Sequence, residues 1–268
     1  MVFQQQKSYN VLLCGDSCED VYHYGACERI SPEAPVPVFK EYSQETKLGM
    51  SSNVRLNLES FGIKVDHYTS EEITKKHRFI DQRYSQHILR WDEGEKELGR
   101  EMDIGTPSPR ILKKYDAVVI SDYNKGFLRY NTCKRLTTLF AKHKIPVFVD
   151  TKKKDLTCFV DSVIKINEKE YSNIEKHLDN PQFVVTLGER GAIYQGKNYT
   201  TAPKEVFDVC GAGDVFLAAL VFGYLCKNKI EAAIPMANKM AAISVTHMGA
   251  YVLTPDDIRE ALFYDVCV

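Results

Sequence analysis

The residues best suited to chemistry lie in Asp208-Val209-Cys210-Gly211-Ala212-Gly213-Asp214, directly ahead of an apolar run from Val215 to Cys226. Two glycines at the mouth of a helix let a ligand approach the backbone, where the N–H groups of the first turn and the positive end of the helix dipole favour an anion. Asp214 in that turn can accept a proton from a hydroxyl while the amides of Gly211, Ala212 and Gly213 hold the phosphoryl group the hydroxyl attacks. For these few residues alone, a plain helix start with an N-terminal carboxylate is an equally good reading.

Such a turn needs a scaffold, and the chain alternates between two kinds of segment. Short β-rich runs occur at Tyr9 to Cys14, Ala117 to Ile120, Val147 to Val149, Ser162 to Ile166 and Phe183 to Leu187, with helix-like stretches at Ser52 to Phe61, Tyr130 to His143 and Glu168 to His177. Uninterrupted apolar strands predict a mainly parallel sheet with helices on both faces, an α/β fold. Two segments break the pattern. Around residues 22–44 and 74–92 polar and apolar residues alternate, as in Val36-Pro37-Val38-Phe39-Lys40 and His87-Ile88-Leu89-Arg90-Trp91. That alternation suits half-exposed antiparallel strands, read here as a small β-sheet flap or lid. Ligands of open parallel sheets sit at the carboxyl ends of the strands, where such a flap would close.

Composition removes several alternatives. The 268 residues are enough for one large domain or two small ones, and the chain reads as one continuous unit without repeats. With 35 Lys and Arg against 36 Asp and Glu, the net charge of −1 argues against a broad nucleic-acid or membrane surface. The run Val215 to Cys226 is too short to span a bilayer, and the N-terminal residues do not form a secretory signal, so a cytoplasmic protein is expected. Eight cysteines without a CxxC pair read as reduced thiols, and no HExxH suggests zinc. Gly15 stands alone after the first strand, so the glycine fingerprint of a dinucleotide-binding fold is missing.

The wider pattern resembles the ribokinase-like, phosphofructokinase-B type carbohydrate kinases. Asp208 to Asp214 is similar to their D-x-x-G-A-G-D signature. Gly15-Asp16-Ser17-Cys18-Glu19-Asp20 looks like their sugar-holding strand end, and Leu48-Gly49-Met50-Ser51-Ser52-Asn53 is similar to G-G-x-x-N. Asn167-Glu168-Lys169-Glu170 matches N-x-x-E, and Thr186-Leu187-Gly188-Glu189-Arg190-Gly191 matches T-x-G-x-x-G. Within the family, Arg29-Ile30-Ser31-Pro32-Glu33-Ala34-Pro35-Val36-Pro37-Val38, Lys76 to Asp81, Leu89 to Asp92, Ser121 to Gly126 and Asp150-Thr151-Lys152 look like the heptose 7-phosphate kinase module of ADP-heptose biosynthesis.

The resemblance implies a three-layer α/β/α fold and an ATP- and Mg2+-dependent transfer to a sugar or sugar-phosphate hydroxyl, with Asp214 as general base. It implies that Asp16, Asp20, Gly49 and Asn53 hold the sugar. Arg78, Arg90, Lys125 and Lys152 would meet its phosphate, while Lys153, Lys154 and Lys75-Lys76 read as solvated surface charges. Asn167 and Glu170 would organise Mg2+ through water, and Thr186, Gly188, Gly191 and Asn238 would line the nucleotide. Exposed apolar residues on the flap, Val36, Val38, Phe39, Ile88 and Trp91, predict a homodimer formed flap against flap. The chain departs from the pattern at Met50, which replaces the second glycine of the sugar motif, and at Cys210. It is also short between Tyr68 and Thr74 and between Glu168 and Pro181. These departures motivate a second reading, a descendant that binds sugar phosphate or nucleotide without transferring phosphate.

Overall fold

The computed structural model describes residues 8–70, 74–94, 101–103, 109–179, 181–202 and 204–263. The chain runs through β1 (Asn10–Gly15), β2 (Ser17–Ile30), β3 (Pro37–Met50), α1 (Ser51–Ser60), β4 (Lys64–Tyr68), β5 (Thr74–Asp81), β6 (Gln86–Glu93), α2 (Pro109–Leu112) and β7 (Ala117–Asp122). There follow α3 (Tyr130–Lys142), β8 (Val147–Thr151), β9 (Ser162–Asn167), α4 (Glu168–Ser172), β10 (Gln182–Thr186), β11 (Ala192–Tyr194), β12 (Lys197–Tyr199), α5 (Ala212–Lys227), α6 (Ile230–Ser244) and α7 (Pro255–Phe263).

The main sheet has the order β12-β11-β10-β9-β8-β7-β1-β4. Its six strands from β10 to β4 are parallel, and β11 and β12 add an antiparallel edge. The strands are apolar on both sides because both sides are covered. Val11 and Leu13 of β1 pack with α1, α5 and α6, whereas Leu12 and Cys14 pack with Leu136 and Phe140 of α3. Helix α5 is buried continuously from Asp214 to Gly223, which explains why its sequence is apolar all round. Among the described residues no helix is long and apolar enough to cross a membrane.

The expected strands are all present, several extended by one or two residues. The helix expected from Glu168 to His177 stops at Ser172. Beyond it the backbone pairs with the loop after β8: Glu175 and Lys176 donate to the Lys154 carbonyl, and the Lys176 carbonyl accepts from the Leu156 N–H. Those bonds replace the ones a longer helix would have made. Most of the connection from Glu93 to Arg110 lies outside the described residues.

After β1 the chain goes to β4 on one side and returns to β7 on the other, so the order reverses beside β1. A crevice opens at that point on the carboxyl ends of the strands. Asp16, immediately after β1, closes it from one side by accepting from the Tyr123 N–H at 2.7 Å.

The flap is a second sheet of order β3-β2-β5-β6. Its first two strands have 14 residues each and reach farther than the alternating segments suggested, β2 leaving β1 almost at once and β3 running straight into α1. Along each strand side chains alternate between faces. Asp20 and Tyr22 on β2 and Arg78 on β5 share one face; His23 on β2 and His77 on β5 share the other.

On that second face hydrogen bonds cross all four strands. The His23 Nδ1 meets Glu41 at 2.7 Å, His23 Nε2 meets His77 Nδ1 at 2.8 Å, and His77 Nε2 meets Glu93 at 2.9 Å. His23 stacks on Phe79 and His77 on Trp91. A His77→Leu variant leaves His23 Nε2 and Glu93 without a partner, while His23 Nδ1 keeps Glu41, at about 1–3 kcal/mol. Amide exchange in β2 and β5 is expected to accelerate roughly tenfold or more while β7 and β8 stay protected.

Candidate active site

Helix α5 begins in the crevice because its buried length leaves its first turn at the carboxyl ends of the central strands. Gly211 caps it in the left-handed region at φ 75°. A side chain there would also stand 2.8 Å from the Asn53 amide nitrogen, and one at Gly213 would stand 2.7 Å from the Lys165 ammonium. The two glycines thus admit two polar side chains to the mouth of the helix. The expected trio of amides reduces to two: Ala212 N–H closes a turn on the Val209 carbonyl, and those of Gly211 and Gly213 make no hydrogen bond among the described residues.

Asp214 is buried in the first turn. The Asn53 amide donates to its Oδ2 at 3.1 Å and the Tyr123 hydroxyl to its Oδ1 at 3.0 Å. Burial nevertheless pushes the carboxyl up to about 6, the two donors and Lys165 only partly opposing it and Asp150 adding to it. Asn53 is steadied in turn by Asn57, whose amide donates to the Asn53 carbonyl and side-chain oxygen.

The flap brings Asp20 and Arg78 together. Arg78 donates through Nε and a terminal nitrogen to Asp20 Oδ1 at 3.1 and 2.9 Å, with both side chains largely buried. Gly49 backs this pair, since a side chain there would meet Asp20 Oδ2 at 2.3 Å. Asp16 accepts from the N–H groups of Tyr123 and Lys125, which places Lys125 at the crevice through its backbone. Burial, helped by Asp122, raises the Asp16 carboxyl above its ordinary range. Arg90 differs from the others. It lies exposed on β6, held by Asp92, whose oxygen receives its Nε at 2.7 Å.

Two lysines, Lys76 and Lys153, depart from their expected surface role. Lys76 is buried, its ammonium 5.6 Å from the Tyr123 ring centre. Lys153 is nearly buried and bonds Asp122 at 2.8 Å, an anchor that an all-solvated Lys run would lack. Lys154, with Glu175, does lie on the surface. Lys152 pairs with Glu170 and lies 5.2 Å from the Tyr123 ring on its own side.

Asn167 and Glu170 form a capping box on α4: the Asn167 oxygen accepts from the Glu170 N–H, and Glu170 Oε2 accepts from the Asn167 N–H. Thr186, Gly188, Gly191 and Asn238 line one cleft with Ala212 and Gly213. The expected nucleotide-side residues therefore share a cavity with the glycine turn.

Three side chains went unassigned from the sequence. Lys165 is buried in β9 and bonds Asp150 at 2.7 Å, while the other Asp150 oxygen is buried without a hydrogen-bond partner among the described residues. Tyr123 touches Asp214, Asp16, Lys76 and Lys152. A lysine in the middle of an otherwise apolar strand, Ser162-Val163-Ile164-Lys165-Ile166, was the signal available for Lys165. For Asp150 and Tyr123 the signs were a place at a strand end and membership of the resembling stretches Asp150-Thr151-Lys152 and Ser121 to Gly126.

A doubly wound sheet with a four-stranded flap over its carboxyl ends defines the ribokinase-like class. Ribokinase from Thermotoga maritima is similar, with a TM-score of 0.70 and 16% identity over 95% of this chain and 99% of that one. Phosphofructokinase-2 from Escherichia coli superposes with a TM-score of 0.73 and 14% identity over 96% of this chain and 99% of that one. The pfkB family carbohydrate kinase model matches residues 49–257, and the chain belongs to that family. It is 33% identical over 93% of its length to the bifunctional protein HldE of a Nitratiruptor species, and 30% identical over 96% to that of Campylobacter jejuni. The chain spans 64% and 66% of those two proteins, about two thirds of their length.

Met50 shows what the missing glycine of the sugar motif entails. Its backbone has φ 56° and ψ −133°, a glycine conformation that costs an L side chain roughly 1–3 kcal/mol. The side chain is buried, so truncation loses packing as well. Met50→Ala retains the strain and is expected to cost about 2–5 kcal/mol. Met50→Gly relieves it and should cost about 2 kcal/mol less than Met50→Ala, as read from urea unfolding midpoints.

Proposed function

We propose that this chain is an ATP- and Mg2+-dependent kinase that phosphorylates a hydroxyl of a sugar phosphate, the anomeric hydroxyl of a heptose 7-phosphate being the substrate favoured by its relatives and by the Arg29 to Val38 run. One observation carries the reading: the buried carboxylate of Asp214 stands in the first turn of α5, whose Ala212 and Gly213 line the nucleotide-side cleft, and it is held by Asn53 and Tyr123.

Asp214 takes the proton of the attacking hydroxyl. With its pKa raised to about 6, it is mostly ionised at pH 7 yet a stronger base than an ordinary carboxylate. The hydroxyl oxygen forms a bond to the γ-phosphorus as the bond from that phosphorus to the bridging oxygen of the departing ADP breaks. The amides of Gly211 and Gly213, the start of α5 and Lys165 meet the charge on the transferred group. Asp20 and Asn53 orient the sugar, and Arg78 is the flap cation best placed for its phosphate.

The residues present fit an aquated cation. The unpartnered Asp150 oxygen and the Glu170 carboxylate are both beside Lys152, and among the described residues no three His, Cys, Asp or Glu side chains are set to hold a metal directly. Such a cation neutralises phosphate charge when bound. Asp150, Asn167 and Glu170 would hold it through water, Asn167 and Glu170 with the lone pairs that their capping box leaves.

The test is ADP release coupled to a spectrophotometric readout, with heptose 7-phosphate and a panel of free sugars. Asp214→Asn is expected to lower kcat by about 10²–10⁴ with an unchanged unfolding midpoint within a few degrees. More than a tenth of wild-type turnover in that variant overturns the role of Asp214. Calorimetric binding of ATP and sugar phosphate with no ADP formed by the wild type points instead to a binding protein.

The exposed face of the flap is proposed as the contact between two copies. Leu89 and Trp91 are exposed on the face that carries His77, and Ile30 and Val36 are exposed at the β2–β3 turn. Sedimentation at micromolar concentration is expected to give a dimer, and Trp91→Glu a monomer; a monomeric wild type refutes it.

A further inference from the structure

We propose that Tyr123 is a positioning residue for the base, its hydroxyl orienting Asp214 and supplying one of the two donors that keep the carboxylate charged inside the closed site. The inference rests on the kinase reading above and adds a residue to it.

The geometry singles Tyr123 out. Asp214 has one oxygen on Asn53 and the other on the Tyr123 hydroxyl. A buried carboxylate loses water on every side, so each remaining donor favours its charged form. The phenol is a dependable donor: desolvation first, and then the charge of Asp214, hold it well above its ordinary range. Its position is fixed from the backbone by the 2.7 Å bond from Tyr123 N–H to Asp16. From the side, the ammonium groups of Lys76 on β5 and Lys152 after β8 lie 5.6 and 5.2 Å from its ring centre. One of those cations belongs to the flap and the other to the main sheet, so Tyr123 ties the base to both.

The other groups facing Asp214 are Asp150 at the end of β8, Lys165 in β9, Lys152, and the Cys18 thiol on β2. Of these, Asp150 opposes ionisation of Asp214 and Lys165 favours it. Neither donates a hydrogen bond to the carboxylate, which leaves Tyr123 and Asn53 to orient it.

The sign of the effect follows directly. The base acts only when ionised, and losing a donor to its charged form raises its pKa, so the acid limb of kcat/KM moves to higher pH. In Tyr123→Phe that limb is expected to move up from about pH 6 by about one unit, a tenfold change in proton affinity. Activity then falls about tenfold at pH 5.5 and less than about threefold at pH 8.5. The Asp214 carboxyl carbon, followed by ¹³C NMR in the same variant, should titrate one unit higher. Incorporating 3-fluorotyrosine at position 123 keeps the shape, strengthens the donor and should move both titrations down; it also serves if Tyr123→Phe does not fold.

Equal loss of activity at every pH, with the carboxyl titration unmoved, overturns the proposal. The carboxyl titration reads Tyr123 even if the wild type turns over no sugar, so the two failures are told apart. A shifted titration in an inactive protein refutes the kinase reading alone; an active protein with an unshifted one refutes the role of Tyr123 alone.

Discussion

Everything in this structure is arranged around one unfavourable act, the burial of the Asp214 carboxylate at the start of a helix that is itself buried. A lone charge there would neutralise by taking up a proton. Two donors and the Lys165 ammonium hold that tendency to a partial rise, leaving the carboxyl at about 6. The glycines at 211 and 213 are part of the same solution, because Asn53 and Lys165 reach the turn only through the space they leave. Burying that charge costs stability, and the fold offsets it with the apolar packing of α5 against α1, α6 and the sheet.

Around that carboxylate lies a lattice of charge pairs. Lys165 with Asp150, Lys152 with Glu170, Lys153 with Asp122 and Arg78 with Asp20 all gather at strand ends or on the inward face of the flap. Buried pairs of this sort add little net stability over apolar packing, but removing one partner strands the other. Their effect here is positional: each pair fixes a cation in one place. The near-zero net charge of the chain is compatible with this concentration, since each cation is matched locally and no broad basic surface results.

The flap carries two kinds of work on its two faces. Alternation along β2 puts Asp20 and Tyr22 toward the main sheet and His23 away from it; on β5 it does the same for Arg78 and His77. Neighbouring residues on one strand thus serve the crevice and the sheet's own cohesion. Because β2 leaves β1 after a single residue and β3 feeds α1 directly, the flap is joined to the helix that carries Asn53. Movement of one must be felt by the other.

The sequence alone determined the local features whose causes are local. The apolar runs that need cover on both faces, the alternating flap strands, the glycine turn and the order of the motifs were all legible, because periodicity and backbone freedom are written in neighbouring residues. Tertiary structure decided which polar groups meet. Lys76 and Lys153 read as solvated charges until the fold set one over Tyr123 and paired the other with Asp122. The helix after Asn167 shortened because its backbone found partners in the loop after β8. Tyr123 and Asp214 are 91 residues apart, and nothing in either neighbourhood encodes their 3.0 Å contact. Their meeting depends on strand order and on where a buried helix begins, which are properties of the packed chain as a whole.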